Sequence, residues 1–310
     1  MPPAPNPLRI GTRGSRLALA QTEIAVAALR ALGTEVSCEV VTIATTGDRV
    51  TDRPFEAVGP KGIFVREIQR ALREGEIDAA VHSLKDLEAT EPDGLVLAAI
   101  LEREDARDVL VSRTGLSLEA LPSGARVGTS SSRRRAQLAV ARPDREAAGL
   151  RGNVDTRLAK VERGEVDAAV LAGAGLRRLG RADAITQWLG PRDFVPSPGQ
   201  GAIALEVRAS SLEGDLAWVR DADHLPTRAA VEAERTFMRA MEGGCELPLG
   251  AWARSDGDAL VLDGFVATTD GARHVAGSLR GTDPVALGET LAERLLEQGG
   301  ADIVAALRRG

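Results

Sequence analysis

The chain has 310 residues, 44% of them hydrophobic and 27% charged, with a formal net charge of -6. That is an ordinary globular composition with room for two or three domains of ~100 residues each. Two cysteines cannot build a disulfide framework, no apolar run approaches the ~20 residues that span a bilayer, and the first residues lack the basic and apolar regions of a secretory signal. A cytoplasmic protein with no membrane role is expected. Aromatic residues make up 3% and include no tyrosine, which argues against the stacking surfaces that bind single-stranded nucleic acid. Against this acidic background an anion site requires a local concentration of arginine.

Leu8-Arg9-Ile10, the turn Gly11-Thr12-Arg13-Gly14 and the run from Ser15 to Leu32 read as strand, tight turn and helix, with Ser15 as N-cap. A second strand follows at Val36 to Ala44, where Cys38 reads as a small apolar strand residue. After a Gly, Asp and Pro loop from Gly47 to Gly62, Ile68 and Leu72 mark an amphipathic helix, and Ile77 to Val81 a short strand. Alternating strand and helix predicts α/β units around a mostly parallel sheet.

The pattern then repeats. Glu74-Gly75-Glu76-Ile77-Asp78-Ala79-Ala80-Val81 is answered by Arg163-Gly164-Glu165-Val166-Asp167-Ala168-Ala169-Val170, and Ile10-Gly11-Thr12 by Val127-Gly128-Thr129. Two matches in the same order favour two similar lobes. Ligands in open α/β sheets bind beyond the carboxyl ends of strands, so both turns are expected to border one cleft. From Pro226 the pattern changes. Thr227 is read as the cap of a helix with Ala230, Ala233, Phe237 and Met241 on one face, stopping at Gly243-Gly244. Three strands joined at Asp256-Gly257 and Asp270-Gly271, then a helix from Pro284 to Leu296, complete a small α+β domain.

Chemistry concentrates in four places. Gly128-Thr129-Ser130-Ser131-Ser132-Arg133-Arg134-Arg135 follows a strand and opens a helix, so backbone N–H groups, hydroxyls and guanidiniums converge as an anion site. Leu150-Arg151-Gly152-Asn153-Val154-Asp155-Thr156-Arg157 is a second basic turn, and Arg13 and Arg177-Arg178 follow other strands. So many guanidiniums suggest a ligand with several carboxylates. A capping cluster with surface salt bridges remains the alternative. In His82-Ser83-Leu84-Lys85-Asp86-Leu87, Asp86 is placed to stay ionised and hold a cationic N–H group, or else to pair with Lys85 or cap a short helix. His82 lacks a second ligand at metal spacing, and no metal site is expected. Cys245, between Gly244 and Glu246-Leu247-Pro248, is either an attachment point or nucleophile or an idle thiol at a helix end.

Gly11-Thr12-Arg13-Gly14-Ser15, Asp78 to Asp86, Val127 to Ser131, Leu150 to Leu158, Pro198-Gly199-Gln200-Gly201-Ala202 and Glu242-Gly243-Gly244-Cys245 together resemble the hydroxymethylbilane synthase family, also called porphobilinogen deaminases. The likeness runs through nearly the whole chain in order. It implies two periplasmic-binding-protein-like α/β lobes around a cleft plus the C-terminal α+β domain. The first lobe is set at 1–103 with a return segment at 200–222, the second at 104–199, and the third domain at 226–310.

The resemblance further implies a three-domain enzyme of tetrapyrrole biosynthesis, with a dipyrromethane cofactor held as a thioether on Cys245; no long exposed heptad or apolar helix suggests obligate assembly, so a monomer is expected. It would condense four porphobilinogens head to tail with loss of ammonia, then release the linear product by hydrolysis. Asp86 would be the catalytic carboxylate. Lys85, Asp86, Thr129, Ser131, Arg133, Arg134, Arg151, Gly152, Arg157 and Gly201 would hold the cofactor, and Arg13, Ser15, Arg151, Arg157, Arg178 and Gln200 the substrate. The segment carrying Lys61 reads as a lid. Two departures stand out: Glu88-Ala89-Thr90 where the family usually has proline after Leu87, and Ser132 where it usually has an apolar residue. The competing readings are a non-enzymatic two-lobed protein that binds a polycarboxylate, and a thiol enzyme using Cys245 as a transient nucleophile. The first does not explain the third domain or Cys245, and the second lacks an evident histidine partner.

Overall fold

A computed structural model describes residues 7–33, 36–45, 65–241 and 247–309. Lys61, Cys245 and the expected helix stop at Gly243-Gly244 lie outside them. The chain lays down β1 (Leu8–Thr12), β2 (Cys38–Thr42), β3 (Ala79–Ser83) and β4 (Leu95–Ile100), with helices Arg16–Ala31 and Arg66–Arg73 among them. A second set follows: β5 (Asp108–Ser112), β6 (Arg126–Gly128), β7 (Glu146–Ala148), β8 (Ala168–Ala172) and β9 (Gln187–Trp188), with helices Ser132–Ala141, Val154–Glu162 and Gly173–Arg178. β10 (Ile203–Arg208) then returns to the first sheet.

The first sheet has the order β2-β1-β3-β10-β4 and the second β7-β6-β8-β5-β9. In each, three strands run parallel, and a fourth, β10 or β5, lies antiparallel to both of its neighbours. One strand in five therefore opposes the rest, and the sheets are mostly parallel. The repeat in the sequence is a repeat in topology. The first lobe receives its antiparallel strand, β10, from residues about 100 positions further along, whereas the second lobe's antiparallel strand, β5, opens that lobe's own run of sequence. The central strands are buried on both faces. Along β8, Ala168 and Val170 join a cluster with Leu110, Leu138 and Phe194, while Ala169 and Leu171 join one with Val109, Leu150 and Leu158, the two-residue alternation of a pleated strand.

The repeated aspartates show why the short motif recurs. Asp78 precedes β3 and accepts hydrogen bonds from Arg9 N and Nε at 3.0 Å and from Arg9 Nη2 at 2.8 Å, while Asp78 N donates to Arg9 O. Asp167 precedes β8 and accepts from Arg126 N at 2.9 Å, with its own N–H donating to Arg126 O. Each carboxylate thus locks the register between a parallel strand and its neighbour. Burial pushes the Asp78 carboxyl up, but the bonds from Arg9 outweigh burial and leave it below the ordinary carboxylate range. Because the folded-state pKa is depressed, the stabilisation is present above the unfolded value and lost as pH falls through the folded one. Asp78→Asn is expected to lower stability at neutral pH by about 1–3 kcal/mol in urea unfolding, with the deficit shrinking in acid. Equal stability at neutral pH would remove the clamp from the account.

Contacts divide the chain into two compact units, residues 1–104 with 201–228, and residues 105–200 with 229–310, so the division falls inside the helix Leu225–Ala240. The second unit includes an antiparallel sheet of β11 (Leu249–Asp256), β12 (Ala259–Ala267) and β13 (His274–Gly281), followed by the helix Pro284–Leu295. Gly257 and Gly271 have φ of +62° and +71° in the two hairpin turns, as the Asp-Gly pairs predict. Phe265 and Ala267 of β12 pack against Ala136 and Val195.

Ala230, Ala233, Phe237 and Met241 are buried on one face as expected, but Thr227 is not the cap. His224 stands before the first helical residue, and its Nδ1 accepts from Thr227 N at 3.3 Å and lies 2.8 Å from Thr227 Oγ1. An imidazole nitrogen thus replaces the usual hydroxyl or carboxylate acceptor. The Thr227 hydroxyl accepts from Arg103 N. Cys38 is half-buried against the first core, and burial pushes its thiol pKa up.

Candidate active site

In the first unit, β1 runs into the turn that carries half-buried Arg13, and Ser15 caps the next helix by accepting from Ala18 N at 3.3 Å. β3 leads into a single helical turn, Leu84–Asp86, closed by Leu87 N donating to Leu84 O. Ser83 enters this turn with Oγ 2.8 Å from Gln21 Nε2, which ties it to the helix behind Ser15. Lys85 and Asp86 are half-buried. Asp86 ends the turn, so it does not act as the N-cap that its position allowed. His82 is buried: its Nε2 lies 3.1 Å from Glu206 Oε2, and Gln69 Nε2 donates to Glu206 Oε1 at 2.9 Å. Gly201, at the start of the return, has φ of +88°, and a Cβ there would lie 2.3 Å from Glu104 O. Only glycine fits that crossing.

In the second unit, β6 delivers the hydroxyl-rich turn. Thr129 is buried, with its N–H on Ala148 O and its Oγ1 accepting from Ser131 N at 3.2 Å. Ser130 Oγ donates to Leu150 O at 2.8 Å, and Ser131 Oγ caps the helix Ser132–Ala141 by accepting from Arg134 N. The capping alternative therefore describes these acceptor atoms, while the Thr129 and Ser131 hydroxyls are otherwise expected to hold a ligand. In the second basic turn Asn153 caps Val154–Glu162, and Arg157 Nε reaches back to Gly152 O at 2.8 Å. Gly152 has φ of +104°, and a Cβ would lie 2.6 Å from the Thr156 methyl. Arg151 is half-buried, as is Arg178 at the end of the short helix after β8.

For the arginine pair the alternative of surface salt bridges fails. Arg133 and Arg134 do not lie on a solvated helix face. They are 4% and 6% exposed, and both pair with Asp108, which is fully buried. Arg133 Nη1 donates to Asp108 Oδ2 at 2.8 Å and to Val195 O at 2.6 Å, and Arg134 Nη2 donates to Asp108 Oδ1 at 2.8 Å. Burial pushes the Asp108 carboxyl up, but the two guanidiniums outweigh it and hold it well below the usual carboxylate range. Gln200, expected to meet substrate, is 1% exposed, and both amide hydrogens are engaged: Nε2 donates to Ala106 O at 2.7 Å and to Asp108 Oδ1 at 2.8 Å. The glutamine is a brace for Asp108. A signal for Asp108 was present in the sequence: a single acid opens the apolar run Val109-Leu110-Val111, and a buried strand acid needs a cationic partner.

Two guanidiniums against one carboxylate leave a buried unit of positive charge. Arg134 Nε is also buried and has no hydrogen-bond partner among the described residues. Both facts fit a ligand carboxylate.

Residues 8–214 match the family model described as porphobilinogen deaminase, dipyromethane cofactor binding domain, and residues 228–297 match porphobilinogen deaminase, C-terminal domain. The chain belongs to the porphobilinogen deaminase family. The first of these porphobilinogen deaminase matches takes in both α/β lobes, and the second takes in the sheet β11-β12-β13. A porphobilinogen deaminase of Brevibacillus brevis is 46% identical over 302 residues, covering 97% of each chain. One of a Roseiflexus species is 49% identical over 300 residues, covering 96% of this chain and 98% of its own. Among solved structures, the VFT2 domain of Bordetella pertussis BvgS aligns over 69% of this chain and 85% of its own, at 15% identity and a TM-score of 0.42. The departures from the porphobilinogen deaminase pattern are accommodated: Glu88 is exposed, and Ser132 is the first residue of its helix.

Proposed function

We infer that the chain is a hydroxymethylbilane synthase, a transferase of porphyrin and heme biosynthesis that condenses porphobilinogen on a covalently held dipyrromethane. The observation that carries this reading is the match of both deaminase domains, in order, over residues 8–214 and 228–297. A two-lobed binding module would account for the arginines but not for the C-terminal match.

Dipyrromethane is a polycarboxylate, and the residues present fit it. The excess positive charge at Arg133 and Arg134, the unpartnered Arg134 Nε, and the turn bearing Arg151 and Arg157 supply donors for its acetate and propionate groups. When bound, it supplies the primer whose terminal pyrrole is extended. Cys245 is its point of attachment in this reading. Thr129, Ser131 and Lys85 add hydrogen bonds, and Gly152 and Gly201 hold the shape of their turns, where positive φ and the neighbouring Thr156 and Glu104 O leave no room for a Cβ. Arg13, Ser15 and Arg178, which follow β1 and β8, receive substrate carboxylates.

Asp86 carries the chemistry. Loss of ammonia from porphobilinogen leaves positive charge on the pyrrole. A half-buried carboxylate accepting the pyrrole N–H stabilises that charge as it develops. Lys61 is assigned to a lid over the bound chain. A cytoplasmic location with neither nucleic-acid nor membrane partner, expected from composition, and a monomeric state complete the reading. No described helix is long and apolar enough to cross a membrane.

The test is stoichiometric: purified protein given porphobilinogen should release four ammonia for each linear tetrapyrrole formed. Binding of porphobilinogen without consumption would favour the binding module instead.

A further inference from the structure

Asp108 lies within the second unit at the centre of a buried polar chain that the reaction itself does not use. Its Oδ2 receives Arg133 Nη1, and its Oδ1 receives both Arg134 Nη2 and Gln200 Nε2, each at 2.8 Å. Arg134 Nη1 is directed to Val170 O at 3.2 Å, and Arg134 Nη2 also lies 3.4 Å from Gln200 Oε1. Every terminal nitrogen of Arg134 therefore has an internal acceptor, and only Nε is left over. The brace continues outward. Glu234, also fully buried, accepts from Gly199 N at 2.7 Å and from Ala253 N at 2.8 Å, which fastens the residue before Gln200 to the helix Leu225–Ala240 and to β11.

We propose that Asp108 is a positioning residue for cofactor capture: it fixes the guanidiniums of Arg133 and Arg134 so that Arg134 Nε–H and one net positive charge are presented to a carboxylate of the dipyrromethane. The inference rests on the function proposed above. A core ion pair serving stability alone would be neutralised within the protein, whereas here a buried positive charge stands in excess beside Arg134 Nε, which, like Arg145 Nε and Trp218 Nε1, has no partner among the described residues. Here one carboxylate faces two guanidiniums, and the unmatched donor belongs to the arginine that Asp108 and Gln200 hold together. Asp108 does not touch the ligand in this arrangement; its own charge would repel a carboxylate. Gln200 acts through Asp108 in the same way, so its loss is read in cofactor loading rather than in substrate affinity alone.

The experiment measures intact mass and thermal midpoint for the parent chain, Asp108→Asn and Gln200→Leu, each freshly purified. The parent should carry the added mass of two linked pyrroles. Asp108→Asn keeps the shape of the side chain and removes its charge, and the loaded fraction should fall about tenfold or more, the scale of a lost charge-assisted hydrogen bond. Gln200→Leu should lower loading by a smaller factor while the ion pairs keep the protein folded. Lowered midpoints with parental loading in both variants would show a purely structural role and overturn the inference. Should Asp108→Asn fail to fold, parental loading in Gln200→Leu would overturn it alone. A parent chain without the added mass would overturn the function and the inference together, an outcome distinct from a deficit confined to the variants.

Discussion

Asp86→Asn is expected to bind porphobilinogen with little change and to turn over about 10²–10³-fold more slowly, the loss that follows removal of one preorganised electrostatic group from a transition state. Asparagine retains the size of the side chain and an oxygen that accepts the pyrrole N–H in the neutral ground state. It lacks the negative charge that offsets the cation formed as ammonia leaves. The effect therefore belongs in turnover and not in binding. The turn Leu84–Asp86 should survive the change, because it is closed through backbone atoms, Leu87 N to Leu84 O, and by Ser83 against Gln21. Single-turnover consumption of porphobilinogen beside an equilibrium binding measurement separates the two quantities. Near-parental turnover would refute the role given to Asp86.

Local pattern carried the lobes, and distance hid how they are completed. The repeat Glu74 to Val81 and Arg163 to Val170 was legible because the same physical job, an aspartate clamping the neighbouring strand, requires the same residue at the same place in each lobe. The Asp256-Gly257 and Asp270-Gly271 turns were legible because glycine at positive φ is a local demand. The antiparallel direction of β5 and β10 was not, since their pairing joins segments far apart in sequence, and the return of residues 200–222 to the first lobe was expected only from the family resemblance. His224 went unread as a helix cap because histidine seldom takes that position.

Within the site, the turns were placed correctly by strand-to-helix junctions, and the arginines were recognised by type. What the sequence concealed was which of them are buried. Arg133 and Arg134 differ from Arg151 and Arg178 by being buried against Asp108, a residue about 25 positions earlier in the chain. The bonds of Gln200 were hidden for the same reason, since its partners Ala106 and Asp108 lie more than 90 positions away. A buried ion network is a tertiary fact. Its sequence trace is a lone acid in an apolar strand, easily passed over among 45 acidic residues.

Cys245→Ser should abolish covalent loading outright, the largest effect in the account. A thioether to carbon requires the sulfur nucleophile, and serine is far less nucleophilic at neutral pH. Turnover should fall with it, because a chain without its attached primer has nothing fixed to extend. The serine hydroxyl differs little in size from the thiol, so the folded state is expected to persist and stability to change by less than ~1 kcal/mol. A loss of activity in this variant is therefore a loss of attachment, and denaturing electrophoresis of protein labelled through its pyrroles would show the same result as mass.

Intact-mass measurement of the purified parent chain beside Cys245→Ser decides whether a pyrrole primer is bound covalently at that cysteine. The parent should be heavier than its sequence by two linked pyrroles, and the Cys245→Ser chain should stand at the sequence mass. An active parent of unmodified mass, or an excess that persists in Cys245→Ser, would contradict that attachment.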